Sequence, residues 1–221
     1  MTGPEQQTQP GHSPAPSGRG RHVLMATLAI VVLAGAGGWA ATRYALHHSV
    51  TLSTYGNAVG GSFRLMDSTT GTMTEQTFRG RWMLVLFGAT HCTDEACRPA
   101  LKAMSDTLDT LDPSGRKAVI IFVSLDPDRD DAERLRQYGE SISSRVVAGT
   151  AAPFALADLA KEYQAPIDRK ADPEWTYTMR MSPQFVVMDP DTRYRGTIDA
   201  TANAASMATD LRRIMSGTPD N

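Results

Sequence analysis

Cysteine is almost absent. Two in 221 residues, Cys92 and Cys97, rule out a scaffold built on disulfides and leave a single pair placed for redox or metal chemistry. Histidine is nearly as scarce: His12, His22, His47, His48 and His91 are the only ones, and none follows the cysteine pair. Positive charge is not in excess, with 22 Lys and Arg against 24 Asp and Glu and a formal net charge of −2. The arginines are scattered and form no basic stripe, so there is no electrostatic case for nucleic acid as a partner. Internal repeats are missing too, which excludes a solenoid.

One long apolar run is present. Residues 23–42 carry no charge and at helical rise would span roughly 30 Å, the thickness of a bilayer core. Arg19, Arg21 and His22 precede the run and Arg43 follows it. The expectation is a single-pass membrane anchor with the N-terminus inside and the body on the periplasmic, extracytoplasmic side. A cleaved signal peptide is the alternative; its apolar core is usually shorter, about 7–15 residues, although the small residues near Ala40 suit a peptidase. Either way the cysteines reach an oxidising compartment. Residues 1–22 are a Pro-, Gly- and Ser-rich tail expected to be disordered. Residues 43–57 read as a linker whose adjacent His47 and His48 are incidental, residues 58–216 as the folded domain, and residues 217–221 as a tail.

The domain centres on residues 82–99. An apolar run from Met83 to Phe87 breaks at Gly88 into a polar loop carrying both cysteines, and Ala100, Leu101, Met104, Leu108 and Leu111 mark one helical face beyond Pro99. A buried strand feeding a cysteine-bearing loop at a helix N-terminus is the active-site geometry of thioredoxin-like domains, where backbone N–H groups and the helix dipole favour thiolates. Before this strand, Phe63 to Phe78 suggests a hairpin turning at 67–71. After it, 118–125 is a second continuous apolar, β-branched run. A helix to about residue 141, a strand at 145–148 and a helix at 152–164 follow. Residues 168–174 read as a charged loop, 184–188 and 194–198 as a hairpin, and 201–215 as a closing helix. Alternating strands and helices predict an α/β domain with a mostly parallel sheet and an added N-terminal hairpin.

Cys92 and Cys97 enclose four residues, a distance at which a pair either forms a disulfide or chelates one cation. Arg98 favours thiolates while Asp94 and Glu95 oppose them. His91 adjoins Cys92 and is a candidate third ligand or proton carrier. The acidic run Asp126-Pro127-Asp128-Arg129-Asp130-Asp131 reads as a turn and helix start, with Asp130 and Glu133 at capping-box spacing, rather than as a metal cluster.

Gly60-Gly61-Ser62-Phe63, the Phe78-Arg79-Gly80 turn, Leu86-Phe87-Gly88-Ala89-Thr90, Asp126-Pro127-Asp128-Arg129-Asp130, and the stretch from Tyr177-Thr178 to Val187-Met188-Asp189-Pro190 together resemble the SCO/SenC family. The resemblance implies a membrane anchor and a thioredoxin-like domain that binds copper through two cysteines and a distant histidine. It also implies a role in copper delivery during assembly of cytochrome c oxidase, with an oxidase subunit or another copper chaperone as partner. Two departures touch the chemistry. The cysteine spacing is one residue longer than the family's Cys-x-x-x-Cys, and Met181 stands at the position matching the family histidine. Two thiolates and a thioether form a soft ligand set that selects Cu(I). The implied ligands are therefore Cys92, Cys97 and Met181, with His91 a minor candidate; Met179, two residues away, would share a strand face with Met181.

Pro183 opens another reading. Thioredoxin-like reductants place a cis-proline just before the strand facing their cysteines, and Ser182-Pro183-Gln184 occupies that position. The alternatives to a copper carrier are thus a thiol–disulfide oxidoreductase working through Cys92 and Cys97, or a non-catalytic relative whose loop binds a partner.

Overall fold

The computed structural model describes residues 59–67 and 71–217, all within one compact unit that spans residues 52–221. The expected tail, anchor and linker lie outside the described residues, and among the described residues no helix is long and apolar enough to cross a membrane.

Two apolar runs become the centre of the sheet because both of their faces are covered. Strand β3 (Trp82–Gly88) runs parallel to β4 (Ala118–Ser124) with Trp82 opposite Ala118 and Gly88 opposite Ser124. The helix α1 (Cys97–Leu111) connects them, and α2 (Ala132–Ile142) connects β4 to the parallel strand β5 (Val146–Gly149). Parallel neighbours need such crossovers. On the other side of β3 the sheet turns antiparallel through β8 (Gln184–Met188) and β9 (Tyr194–Asp199), giving the order β5-β4-β3-β8-β9. The expected mostly parallel sheet is therefore a mixed one.

Alternation along these strands sorts side chains into two layers. Leu84, Leu86, Ile120, Phe122, Phe185 and Val187 face α1, α2 and α4 (Ala204–Ser216), where Leu101, Leu135 and Leu211 meet them. Met83, Val85, Phe87, Ile121 and Val123 face α3 (Pro153–Glu162) through Leu156 and Leu159. The predicted N-terminal hairpin is present as β1 (Arg64–Leu65) paired antiparallel with β2 (Met73–Thr74), and it packs on the α3 side through Leu65 and Met73.

Two expectations need correcting. The charged stretch at 168–174 is not a loop: β6 (Arg169–Asp172) pairs antiparallel with β7 (Thr176–Met179) in a separate two-stranded ribbon. It has almost no apolar alternation because three of the four β6 residues are exposed. The helix cap also falls one residue later than the spacing suggests. Asp131, not Asp130, caps α2, its Oδ1 accepting from the Arg134 amide at 2.7 Å.

Candidate metal and redox centre

At the end of β3 the chain leaves the sheet through Ala89 and Thr90, and the cysteine loop begins. Its first fixed point is Asp130, wholly buried at the far end of the β4–α2 connection. Its carboxylate accepts from the Thr90 amide at 2.8 Å, from the Thr90 hydroxyl at 2.5 Å and from the Ser124 hydroxyl at 2.5 Å. Three donors on one carboxylate offset its desolvation and pin the residue two before Cys92. The Thr90 hydroxyl hydrogen is committed to Asp130, so its oxygen accepts from Nδ1 of His91, 3.2 Å away. That assigns the tautomer with hydrogen on Nδ1 and leaves Nε2 with the lone pair.

The loop then lies along β7 of the β6–β7 ribbon. Cys92 forms an isolated parallel bridge with Met179, whose amide donates to the His91 carbonyl at 3.0 Å. The hydroxyls of Thr93 and Thr178 are 2.9 Å apart, and the His91 ring lies 4.2 Å from the ring of Trp175, which is 48% exposed. A 310 turn at Thr93–Glu95 absorbs the extra residue of the cysteine spacing by placing Asp94 (φ 56°) and Glu95 (φ 53°) in the left-handed region. Helix α1 then opens on Cys97 itself, two residues earlier than Pro99 suggests.

The two sulfurs are bonded to each other as a disulfide, with the Cα atoms 5.8 Å apart. They are far less open than a polar loop implies: Cys97 is 0% exposed and Cys92 6%. Gly88 makes room for them, since a Cβ there would meet Cys97 Sγ and would lie 3.1 Å from Phe122 Cε2. Arg98, expected to favour thiolates, is turned onto α2. Its guanidinium stacks 4.9 Å over the Tyr138 ring and donates to Ser141 at 3.0 Å. Burial pushes the Tyr138 phenol up to about 12, with Arg98 pulling it down and Asp130 pushing it further up. It stays a neutral hydroxyl at pH 7.

Met181, 8% exposed, belongs to the same buried cluster as Cys92 and Cys97. Met179 does not share its face and packs in the opposite layer with Phe87 and Leu159. The period-2 rule fails because β7 ends at Met179; by Ser182, whose amide donates to the Phe87 carbonyl at 2.8 Å, the chain has crossed to the central sheet. Pro183 also departs from expectation: no described peptide bond is cis. Its ring is exposed, and its carbonyl accepts from the Ala200 amide at 2.9 Å.

A groove of about 1060 Å³ opens beside the disulfide, lined by His91, Cys92, Arg98, Tyr138 and Trp175 among others. Among the described residues no three His, Cys, Asp or Glu side chains converge as a cation site. A soft cation has the two sulfurs as donors once they are reduced, with the Met181 thioether in the same cluster.

Known proteins share this fold. The SCO1/SenC family model matches residues 52–216. The chain belongs to the SCO1/SenC family. Among family relatives, the mitochondrial SCO1 homolog 1 of Arabidopsis thaliana is 26% identical over 138 residues, covering 62% of this chain and 41% of the relative. Against this and the next curated relative, the chain spans less than half the relative's length. Among solved structures, copper-bound ScoI of Bradyrhizobium japonicum is 27% identical with a TM-score of 0.62, covering 71% of this chain and 99% of the other. BsSco, solved in a study of its disulfide switch and described as a member of the Sco family of cytochrome c oxidase assembly proteins, gives 18% identity and a TM-score of 0.57 over 74% of this chain and 96% of its own. The thioredoxin-like α/β fold is thus shared with SCO structures.

Several residues that shape the family site here are not foreseeable as such from sequence. Asp130 and Gly88 belong to motifs that carry the family resemblance, but nothing in those motifs assigns them these roles. A threonine before the cysteines with a polar side chain across the sheet in Asp130 is the available signal. Trp175 directly follows the stretch read as a charged loop and gives none.

Proposed function

We propose that this chain is a membrane-anchored SCO protein that carries copper, as Cu(I), outside the cytoplasm and assists its delivery to a respiratory oxidase. Cys92 and Cys97 bind the ion as thiolates and Met181 adds a thioether; His91 is not needed. The observation that carries the reading is that Cys92, Cys97 and Met181 all lie in the buried layer on the α1 face of the sheet, in a chain of a family with copper-bound members. The place of BsSco among cytochrome c oxidase assembly proteins supports the oxidase as destination. The run at 23–42 supports single-pass anchoring with the domain on the periplasmic side, and an oxidase subunit or second chaperone as partner.

Loading requires chemistry first. A dithiol reductant exchanges with the disulfide and is itself oxidised to a disulfide, leaving Cys92 and Cys97 as thiols, and each thiol releases its proton on binding the ion. A two-sulfur, one-thioether set holds Cu(I) and retains Cu(II) poorly. The test is titration of the reduced full-length chain with Cu(I) against a competing chelator. One Cu(I) per chain is expected, Met181→Ala weakens affinity at least about tenfold, and Met181→His gains Cu(II) retention. Failure of the reduced chain to compete for Cu(I) ends the proposal.

The observed disulfide favours a second reading, thiol–disulfide exchange with Cys92 as the attacked sulfur. It predicts that Cys92 of a Cys97→Ser variant attacks a disulfide of an oxidised partner, releasing one partner sulfur as a thiol and leaving a trapped mixed disulfide, and no cysteine-dependent capture of any disulfide-bearing partner would end it.

A further inference from the structure

The acidic motif after β4 has a use that neither metal binding nor helix capping explains. Arg129 lies between two anchors. Its Nε donates to Oδ2 of the fully buried Asp126 at 2.6 Å, and its Nη1 donates to the carbonyls of Trp175 and Tyr177, each at 3.0 Å. Its guanidinium also stacks 3.9 Å over the Tyr177 ring, while Arg169 covers that ring at 4.6 Å. The Tyr177 hydroxyl donates to Asp126 at 2.7 Å. One arginine therefore joins the core to two backbone carbonyls of the β6–β7 ribbon. Within that ribbon only Thr178 and Met179 are buried: Arg169, Lys170, Ala171, Trp175 and Thr176 lie at the surface, and Thr176 sits at a positive φ of 67° that a β-branched residue rarely adopts.

The ribbon covers the cysteine loop. It touches that loop through the Met179 amide on the His91 carbonyl, the Thr178–Thr93 hydroxyl pair and Trp175 against His91. With Cys97 sealed, any attacking sulfur must reach Cys92, and the Met179 bridge lies alongside it. We propose that the β6–β7 ribbon is a gate over the Cys92–Cys97 pair and that Arg129 is the positioning residue that latches it. The gate rests on the same sulfur site as the copper reading but needs no copper to operate.

The covalent step that the gate controls is thiol–disulfide exchange at Cys92. A thiolate of a dithiol attacks Cys92 Sγ, the Cys92–Cys97 bond breaks, and Cys97 leaves as a thiolate that takes up a proton. The second thiol of the attacker then displaces Cys92, which also gains a proton. The protein disulfide is reduced to two thiols and the dithiol is oxidised to a disulfide.

Arg129→Lys tests the latch. Lysine keeps a positive charge against buried Asp126 but cannot fork across Asp126 and two carbonyls. With dithiothreitol as the dithiol, reduction of the full chain is expected to speed up at least about tenfold, the change in opening equilibrium on losing the charge-assisted bonds to the Trp175 and Tyr177 carbonyls. Amide exchange across 172–179 should rise while exchange in β3 and β4 stays at the wild-type level. Tyr177→Phe removes only the hydroxyl bond to Asp126 and should move both readouts in the same direction by less; it decides the matter if Arg129→Lys does not fold. Reduction rates unchanged in a folded variant, or faster exchange spread equally through β3 and β4, would overturn the gate. A chain that shows gated reduction yet takes up no Cu(I) ends the copper reading alone. One that binds Cu(I) with ungated reduction ends this inference alone.

Discussion

Gly88→Ala separates the two oxidation states of the site. In the disulfide form a methyl at position 88 collides with Cys97 Sγ and comes within 3.1 Å of the Phe122 ring. The sulfur cannot yield, because it is bonded to Cys92 and wholly buried at the head of α1. Once the bond is cut, Cys97 is free to rotate about χ1 and the clash eases. Overpacking a well-packed core costs about 1–3 kcal/mol. If that cost falls on the disulfide alone, then at about 30 mV per 1.4 kcal/mol the reduction potential rises by roughly 20–60 mV. The substitution thus makes the pair a stronger oxidant and the dithiol easier to populate. The assay is equilibration in thiol–disulfide buffers of graded potential, with the fraction oxidised read by alkylation, alongside thermal melts of both forms. An unchanged midpoint, or equal loss of Tm in the oxidised and reduced proteins, refutes the reasoning, since either means that the methyl does not meet the sulfur.

Two further outcomes follow from the surrounding structure. Asp112 closes the turn between α1 and β4: burial alone would raise its carboxyl, but the Ser114 hydroxyl and the Lys117, Ala118 and Arg116 amides outweigh it and hold it below its ordinary 3.8. A depressed carboxyl contributes stability that is full above that ordinary value and lost as pH falls through the lowered one. Asp112→Ala should therefore cost about 2–3 kcal/mol at pH 7, and the difference in Tm from wild type should shrink in melts run increasingly below 3.8. Glu95 sits at φ 53° with an exposed side chain, so Glu95→Gly should relieve about 1 kcal/mol of backbone strain and raise the Tm of the oxidised protein; a lower Tm would mean that the left-handed turn carries no strain.

How much of this is legible depends on whether one element or several decide a feature. β3 and β4 announce themselves because strands buried on both faces need unbroken apolar runs, and α1 does so through the spacing of Leu101, Met104 and Leu108. The stretch 168–174 reads as a loop because β6 carries no hydrophobic signature; the ribbon it forms with β7 is tied to Arg129 and Asp126, more than 40 positions away from Trp175 and Tyr177. Asp130 and Asp131 exchange expected roles for a related reason. Capping spacing is local and tolerates a shift of one, whereas the pull of Thr90 and Ser124 on Asp130 emerges only when β3 and β4 lie side by side. The cysteine pair is legible as a unit but not in its state, because spacing alone fits both a bond and a chelate, and its burial depends on Gly88 and the ribbon.

The same commitments bear on which ion the proposed site would take. A harder cation needs oxygen or nitrogen donors, and three side chains around the loop that carry oxygen are already in use. The Asp130 carboxylate holds three donors, the Thr90 hydroxyl bridges Asp130 and His91, and the Thr93 hydroxyl is paired with Thr178. Recruiting any of them means breaking a bond that positions the loop, whereas the thioether of Met181 gives up no hydrogen bond. Imidazole cannot come from farther along the chain, since no histidine follows residue 91. Under the copper reading, selectivity for Cu(I) then comes from the sulfurs together with the prior engagement of Asp130, Thr90 and Thr93. This makes Thr93→Val informative: freeing the Thr178 hydroxyl should leave Cu(I) affinity near the wild-type value while allowing some Cu(II) retention, and a fall in Cu(I) affinity with no gain in Cu(II) would show that the polar bonds serve only to shape the loop.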